Sequence, residues 1–476
     1  MTTAPTTHRK PTQPLTHALV LACAATFLVY LDAAIVNLAF GAIAAAFPTT
    51  SQHAMTWIAT GYAVAFAAVL AVGGRLSDAL GHRRLLLVGA IGFGLASAAC
   101  AAAPTASWLI GARVVQGGTG ALMLPAALGG LLAITPPARA AAIIGAWGAA
   151  GSLAAVLGPV AGAEIVDIAD WRWLFLINVP ATVALVAACR RLPAPPRTST
   201  ATPDVFGAVL LAGGLGALVT AISQSSQWGY RAPLTLGVGL AGLAGAGVAL
   251  WRSRSQAVPV IPVHLLFERT FAGASLANAA LGAALFTNML GVPLFLTVVW
   301  HLSLIQAGAA FAIIGVAAMA GAVATGRSAR VGSAPWFAAA GMVLVLVQTL
   351  ALAFGLLGTH RSWPVWTVLA IIAGIGVGVT VSALSLSVSA AVSAAEMAVG
   401  MGVTLTARQV GGAVGLAVLA AVLAPVTSPR FVASFHDLFA VVAILVVVLG
   451  VAALLLLRAR PPVAVPSPAR AQKAIR

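Results

Sequence analysis

The chain has 476 residues, of which 61% are hydrophobic and only 7% charged, against roughly 25% charged in a soluble globular protein. Long apolar runs with so few charges exclude a water-covered globular domain and point to helices that cross a bilayer. The formal net charge of +16 does not argue for nucleic-acid binding, because the basic residues punctuate apolar runs instead of clustering on one segment among exposed aromatics.

Taken in chain order, apolar runs bounded by Pro, Gly, polar clusters and Trp predict spans near 16–40, 53–73, 84–103, 107–133, 139–164, 172–189, 205–224, 232–251, 271–299, 303–325, 335–356, 363–390, 399–425 and 433–457. The first run follows His8, Arg9 and Lys10 and continues past Cys23 to Phe40, so it reads as a retained span rather than a cleaved leader: it is long enough for a bilayer core of ~30 Å at ~1.5 Å per residue. The expectation is an all-α, polytopic membrane protein with fourteen transmembrane helices. Its order is a six-helix bundle over 1–189, a Pro-rich polar linker over 190–204, two additional helices over 205–251, a second six-helix bundle over 271–457 and a tail over 458–476.

Arginine and lysine orient these spans, since cytoplasmic loops carry the excess. With the N-terminus inside, nineteen of the 25 Lys and Arg fall on the cytoplasmic side, only Arg172, Arg231, Arg361 and Arg430 fall outside, and Arg113 and Arg408 lie within spans. Both termini are therefore expected in the cytoplasm. Cys23, Cys100 and Cys189 lie far apart in apolar runs and suggest neither a disulfide framework nor a metal site. No cofactor is implied, and no phosphate-cradling G-x4-G-K-[ST] loop is present to support ATP hydrolysis.

The segment "GGRLSDALGHRR" (73–84) concentrates charge between the second and third spans. It reads as a cytoplasmic loop in which Gly74 and Gly81 permit a tight turn, Asp78 accepts hydrogen bonds at a helix N-terminus, and Arg83 and Arg84 hold the loop inside. A weaker echo, "GRSARVGS" (326–333), follows the tenth span and lacks the acid. In "LDAAIVNLAF" (31–40), Asp32 is the only acid well inside a predicted span, where a charge costs of order 2.5–3.5 kcal/mol. "RVVQGGTGA" (113–121) puts Arg113 at a similar depth, with Gln116 on the same helix face. "GSLAAVLGPVAGAE" (151–164) aligns Gly151, Gly158 and Gly162 in a stripe beside Pro159, a pattern for close helix contact.

Together these motifs resemble the major facilitator superfamily and, within it, the fourteen-span drug:proton antiporters. The 73–84 stretch is similar to the superfamily's G-x-L-a-D-r-x-G-r-r/k signature, with Ala79 and His82 at two usually basic positions. The 31–40, 113–121, 151–164, 171–180 and 406–419 segments look like further family motifs in the right order, although Ala34, Phe40 and Ala163 depart from them. The resemblance implies a gating role for Gly74, Asp78, Gly81, Arg83 and Arg84, proton coupling by Asp32 and Arg113, and an antiporter helix carrying Gly151, Gly158, Pro159 and Gly162. The implied activity is export of hydrophobic or amphipathic small molecules, such as drugs, dyes or antibiotics, in exchange for protons, across a bacterial inner membrane and as a monomer at its simplest.

Asn37, Gln116, Trp147, Asn288, Gln348 and Arg408 are expected to line the substrate cavity or to make interhelical hydrogen bonds, and Arg408 with Gln409 to face the cavity or brace a helix against Gly411 and Gly412. Glu164, with Asp167 and Asp170, makes the outer vestibule acidic. A proton symporter of the same fold is the alternative; a sugar-type porter is disfavoured because "RRLPAPPR" (190–197) lacks the P-E-S-P-R pattern. A non-transporting membrane receptor is also compatible with the fold.

Overall fold

A computed structural model describes residues 13–36, 40–190, 204–256 and 258–457. Asn37, most of the 190–204 linker and the 458–476 tail lie outside the described residues, as does the side chain of Pro159. The structure is all-α. In chain order the helices are α1 (Gln13–Ile35), α2 (Phe40–Ala46), α3 (Gln52–Leu80), α4 (His82–Ala101), α5 (Ala106–Ala133), α6 (Pro137–Ile168), α7 (Trp173–Leu176), α8 (Asn178–Cys189), α9 (Val205–Trp228), α10 (Pro233–Ser253), α11 (Val263–Phe267), α12 (Arg269–Val298), α13 (Leu304–Ser328), α14 (Ala334–Ala353), α15 (Trp363–Ala391), α16 (Met397–Val422) and α17 (Phe431–Leu457).

Among the described residues, twelve helices are long and apolar enough to cross a membrane, not the fourteen expected. The predicted spans at 139–164 and 172–189 account for the difference. The first is the 32-residue α6, for which several side chains are outside the described set. The second is broken at Ile177 between the four-residue α7 and the 12-residue α8.

Polar residues at the ends set several boundaries. The Ser51 and Thr105 hydroxyls accept from the Ala54 and Trp108 amides to start α3 and α5, Glu268 does the same for α12, and Ser303 with Gln306 forms a reciprocal capping box on α13.

The 73–84 stretch is not an extended loop. Gly73 to Leu80 are the last turns of α3, and α4 begins at His82, so Gly81 alone makes the turn, with φ of 98°. Gly74 serves a different purpose from the predicted one. It sits in helix against the start of α16, where a Cβ would collide with the Ala398 carbonyl. The echo glycine Gly326 occupies the matching place on α13, and a Cβ there would lie 2.8 Å from the Ala141 carbonyl of α6. Both glycines thus mark seams between the earlier and later helices, α3 against α16 and α6 against α13.

The apolar core divides unequally along these seams. One cluster joins Leu21, Leu85, Ile144 and Trp147 to Ala383, Leu384, Met397 and Met401, so the early and late helices share a core at the end that carries Gly74. Toward the other end the cores separate: Leu31, Ile35, Met55 and Trp171 pack in one cluster, and Phe295, Trp300, Trp366 and Phe435 in another. The protein is closed at the Gly74 end and divided at the opposite one. Helix α9 lies against both α3 and α16, while α10 packs on α9 and presents Leu236, Leu240, Leu243 and Trp251 outward.

A methyl group at Gly74 is expected to force α3 and α16 apart. Gly74→Ala should lower stability by about 1–3 kcal/mol, the usual cost of overpacking, whereas Gly213→Ala, where a Cβ meets nothing within 4 Å, should be neutral or slightly stabilising. Thermal melting of the two purified variants in detergent checks the contrast.

Candidate functional site

The first helix carries Asp32 into the interior, and the fifth brings Arg113 to meet it. Both are 1% exposed, and Arg113 Nη1 donates to Asp32 Oδ2 at 2.6 Å. The predicted pairing is therefore present. Asp32 Oδ1 accepts from Gln116 Nε2 at 2.9 Å and from Asn178 Nδ2 at 2.6 Å, so both carboxylate oxygens are occupied by strong donors.

Arg113 is held by more than the carboxylate. Its Nη1 also donates to Gln116 Oε1 at 2.7 Å and its Nε to the Ile58 carbonyl at 3.2 Å. Its guanidinium carbon lies 4.1 Å from the Tyr62 ring centre and 5.7 Å from that of Phe175, geometry in which the negative ring face attracts a cation. Gln116 is anchored in turn by donating to Ser97 Oγ at 2.7 Å. The network thus joins α1, α3, α4, α5 and α8.

Sequence reading missed Asn178, Ser97 and Tyr62. Asn178 follows the break between α7 and α8, and the motif "WRWLFLINVP" (171–180) contained it; a polar amide at the foot of an apolar helix was the available signal. Ser97 and Tyr62 are ordinary residues on apolar helices and carried none.

Asp78 does accept hydrogen bonds at a helix N-terminus, but the helix is α16, more than 300 residues along. The Ala398 amide donates to Oδ1 at 3.1 Å and the Val399 amide to Oδ2 at 2.8 Å. This carboxylate caps the first turn of α16 and meets the positive end of its dipole. Arg83 Nη2 donates to the Arg190 carbonyl at 2.7 Å, closing the end of α8, and Arg84 is exposed.

The small-residue stripe of α6 makes a close helix contact, and its partner is α1. A Cβ at Gly151, Gly158 or Gly162 would lie 3.3 Å from the Tyr30 ring, 2.6 Å from Ala34 Cβ and 3.2 Å from the Ile35 carbonyl, respectively.

The remaining cavity candidates separate. Trp147 is buried and its Nε1 donates to Thr26 Oγ1 at 2.7 Å. Asn288 and Gln348 satisfy each other between α12 and α14: Gln348 Nε2 donates to Asn288 Oδ1 at 3.0 Å, and Asn288 Nδ2 returns a longer bond of 3.4 Å to Gln348 Oε1. Their geometry is that of an interhelical bond. Arg408 Nη2 donates to Tyr30 Oη at 2.6 Å, from α16 across to α1, while Gly411 packs on the Ala279 carbonyl of α12 and Gly412 on the Phe286 ring. Helix α16 is thus braced against α12 over the turn that carries Arg408, whose side chain reaches away to Tyr30 of α1. Glu164 is exposed, and the charge of Asp170 is matched by Arg172 at 3.3 Å.

A bundle of apolar helices joined along two glycine seams, with a satisfied ion pair buried in one part of it, is the architecture of a membrane transporter. The chain belongs to the Major Facilitator Superfamily, whose family model matches residues 22–416. It is 33% identical over 387 residues to a probable actinorhodin transporter of Streptomyces coelicolor, covering 76% of this chain and 64% of that one. It is 34% identical over 301 residues to the puromycin resistance protein of Streptomyces alboniger, covering 63% and 59%. A multidrug resistance protein B homolog of Mycobacterium tuberculosis is 30% identical over 360 residues, covering 74% and 66%. The chain spans less than two thirds of the length of the first two relatives. In fold it is similar to the human organic anion transporter MFSD10, with a TM-score of 0.67 at 17% identity over 92% of this chain and 99% of that one.

Removing one partner of the ion pair should be far worse than neutralising both. Arg113→Ala leaves Asp32 buried without its cation and should cost about 3–5 kcal/mol, whereas Asp32→Asn combined with Arg113→Gln should recover at least half of that loss. Unfolding midpoints of the three purified proteins test the order.

Proposed function

We propose that this protein exports hydrophobic or amphipathic small molecules in exchange for protons, by alternating access between a six-helix unit over 1–189 and a second over 271–457, with the 205–251 helices beside them. The observation that carries the reading is the buried Asp32–Arg113 pair. It is an intramembrane ionisable group of the kind kept for proton or ion pathways. The names of the relatives, a transporter of actinorhodin and proteins of puromycin and multidrug resistance, favour drugs or antibiotics as the substrate class.

Placing the arginine-rich end in the cytoplasm of a bacterial inner membrane makes the closed end the inner one, because Gly74, Arg75, Arg83, Arg84 and Arg327 all belong to it. The conformation described above is then divided toward the outside. The gating residues act as a latch in this state: the Asp78 carboxylate ties α3 to the first turn of α16, and opening inward requires that this cap be lost.

Proton uptake by Asp32 removes the charge that holds Arg113. The guanidinium is not orphaned when this happens, since Gln116 Oε1, the Ile58 carbonyl and the Tyr62 face remain. That second set of partners lowers the cost of the protonated state and so makes Asp32 a workable carrier. One proton entering down 100 mV supplies ~2.3 kcal/mol, equivalent to roughly a forty-fold substrate gradient at ~1.4 kcal/mol per decade.

Asp32→Asn preserves shape and much of the hydrogen bonding but cannot titrate. Reconstituted in vesicles with protein matched to wild type, it should lose uphill, proton-driven export while retaining downhill equilibration of the same compound. Undiminished uphill export would remove Asp32 from the mechanism. Orientation is tested separately in intact cells: a cysteine at position 360 should label from outside and one at position 197 only after permeabilisation.

A further inference from the structure

Two arginines are buried among the described residues, and Arg408 is the one whose charge is not met by a carboxylate. Arg113 has Asp32 at 2.6 Å, and even the half-exposed Arg252 has Asp204 at 3.0 Å. Arg408 is 8% exposed, and its described partner is a neutral phenol, Tyr30. No acid lies within ion-pair reach of it among the described residues. A buried cation without a counter-charge is costly, and such a group survives where something supplies the missing negative charge.

The surroundings favour a specific answer. Tyr30 lies against Gly151 of α6, where a Cβ would be 3.3 Å from its ring. One helical turn earlier, a Cβ at Gly148 would be 3.4 Å from Ser382 Oγ of α15. Ser382 is 2% exposed, and its hydroxyl is buried without a hydrogen-bond partner, a state that is unfavourable unless something occupies it. The Tyr30 ring and the unsatisfied Ser382 hydroxyl thus lie against glycines three residues apart on α6, and the Arg408 guanidinium is held at the hydroxyl end of that Tyr30. The Arg408–Tyr30 bond crosses between the early and late helices, so it breaks whenever α1 and α16 separate, and Arg408 is then free to take a new acceptor.

We propose that this meeting point is an anion seat, taking the carboxylate or ionised phenol of an aromatic amphiphile on Arg408 and Ser382 with its ring beside Tyr30. The proposal deepens the export reading and rests on it for the term substrate. Arginine suits the task because its planar fork binds a carboxylate through two parallel hydrogen bonds. The seat opposes the preference for cationic or neutral compounds that an acidic vestibule around Glu164 is expected to give. Glu164 is exposed and Asp170 is paired with Arg172, so the field of the acidic mouth is screened within about 8 Å at physiological salt, whereas the charge on Arg408 is buried and acts at contact range. The seat, not the mouth, sets the preferred sign of charge.

The test uses the full chain purified in detergent, with no gradient, and three probes of one shape measured by equilibrium dialysis at pH 7: naphthalene-2-carboxylate, naphthalene-2-carboxamide and naphthalen-2-ylmethylammonium. The carboxylate should bind wild type at least ten-fold more tightly than the amide, and the ammonium most weakly. Arg408→Gln should erase the ten-fold preference and Arg408→Lys should retain part of it. Equal affinities, a preference for the ammonium, or no measurable carboxylate binding to wild type would each overturn the seat, as would a folded Gln variant that keeps the preference. If the Gln variant fails to fold, the wild-type comparison of carboxylate with amide decides alone. Asp32→Asn should keep the carboxylate preference; loss of proton-driven export in wild type with that preference intact would remove the antiport reading and leave the seat, and the reverse outcome would remove only the seat.

Discussion

A charge buried among apolar helices must be matched, and the way Asp32 is matched organises the first half of this molecule. Its two oxygens draw donors from α5 and α8, and the arginine that neutralises it is in turn propped by a carbonyl of α3, an amide on its own helix and two aromatic faces. Five helices are thereby fixed relative to one another by groups that cannot be exchanged for ordinary packing without leaving a polar atom stranded. Such a network is rigid while the carboxylate is charged. Arg113 also holds neutral partners on α3 and its own helix, so loss of the Asp32 charge would not leave the guanidinium without hydrogen bonds, which the proposed proton coupling requires.

The two glycine seams convert that local chemistry into a global constraint. Where α3 meets α16 and α6 meets α13, the backbones approach so closely that side chains are excluded, and the largest apolar cluster among the described residues runs across both halves at that end. At the opposite end each half has its own aromatic-rich core, one around Trp171 and one around Trp300 and Trp366. Separate, self-sufficient cores let the halves part there without exposing a shared interior. Small residues let the joined end close through short-range contacts, with the Asp78 cap on α16 adding a directional polar contribution to an otherwise apolar closure.

Much of this was legible in the sequence because charge is rare enough to carry information. Asp32 and Arg113 stood out against apolar runs, and helical spacing put Gln116 on the same face. The small-residue stripe of α6 likewise predicted close packing, though not that α1 would be its partner. What the sequence hid were relations across the chain. The partner of Asp78 is a pair of backbone amides more than 300 residues away, and backbone groups leave no trace in a motif. Asn178 escaped although Pro180 in the first turn of α8 signals a helix start beside it, because nothing local shows that the amide points to Asp32. Asn288 and Gln348 were visible as polar residues in spans, but only their mutual hydrogen bonds show that they spend their polarity on each other. The charged 73–84 stretch misled in a different way. Two glycines beside a charge cluster suggest a loop, yet a glycine pressed against a neighbouring backbone is compatible with helix, and only Gly81 takes the positive φ that a turn needs.

The two membrane-embedded arginines illustrate how identical side chains acquire different uses. Arg113 is surrounded by a carboxylate, an amide, a carbonyl and aromatic faces, so its charge is compensated several times over and its position is set by one half of the molecule. Arg408 meets a single neutral hydroxyl, and that hydroxyl belongs to a helix of the other half. In the proposed alternating access, relative movement of the halves would leave the environment of Arg113 intact but strip Arg408 of its partner. A compensated charge within one rigid unit is suited to storing a protonation state, since its energy is insulated from the rocking. An uncompensated charge on the seam is suited to sensing occupancy, since its energy changes with both the opening of the seam and the presence of an anion. Under the proposed cycle proton and substrate would be handled by different arginines, and Tyr30, the partner of Arg408, stands two residues before Asp32 on α1.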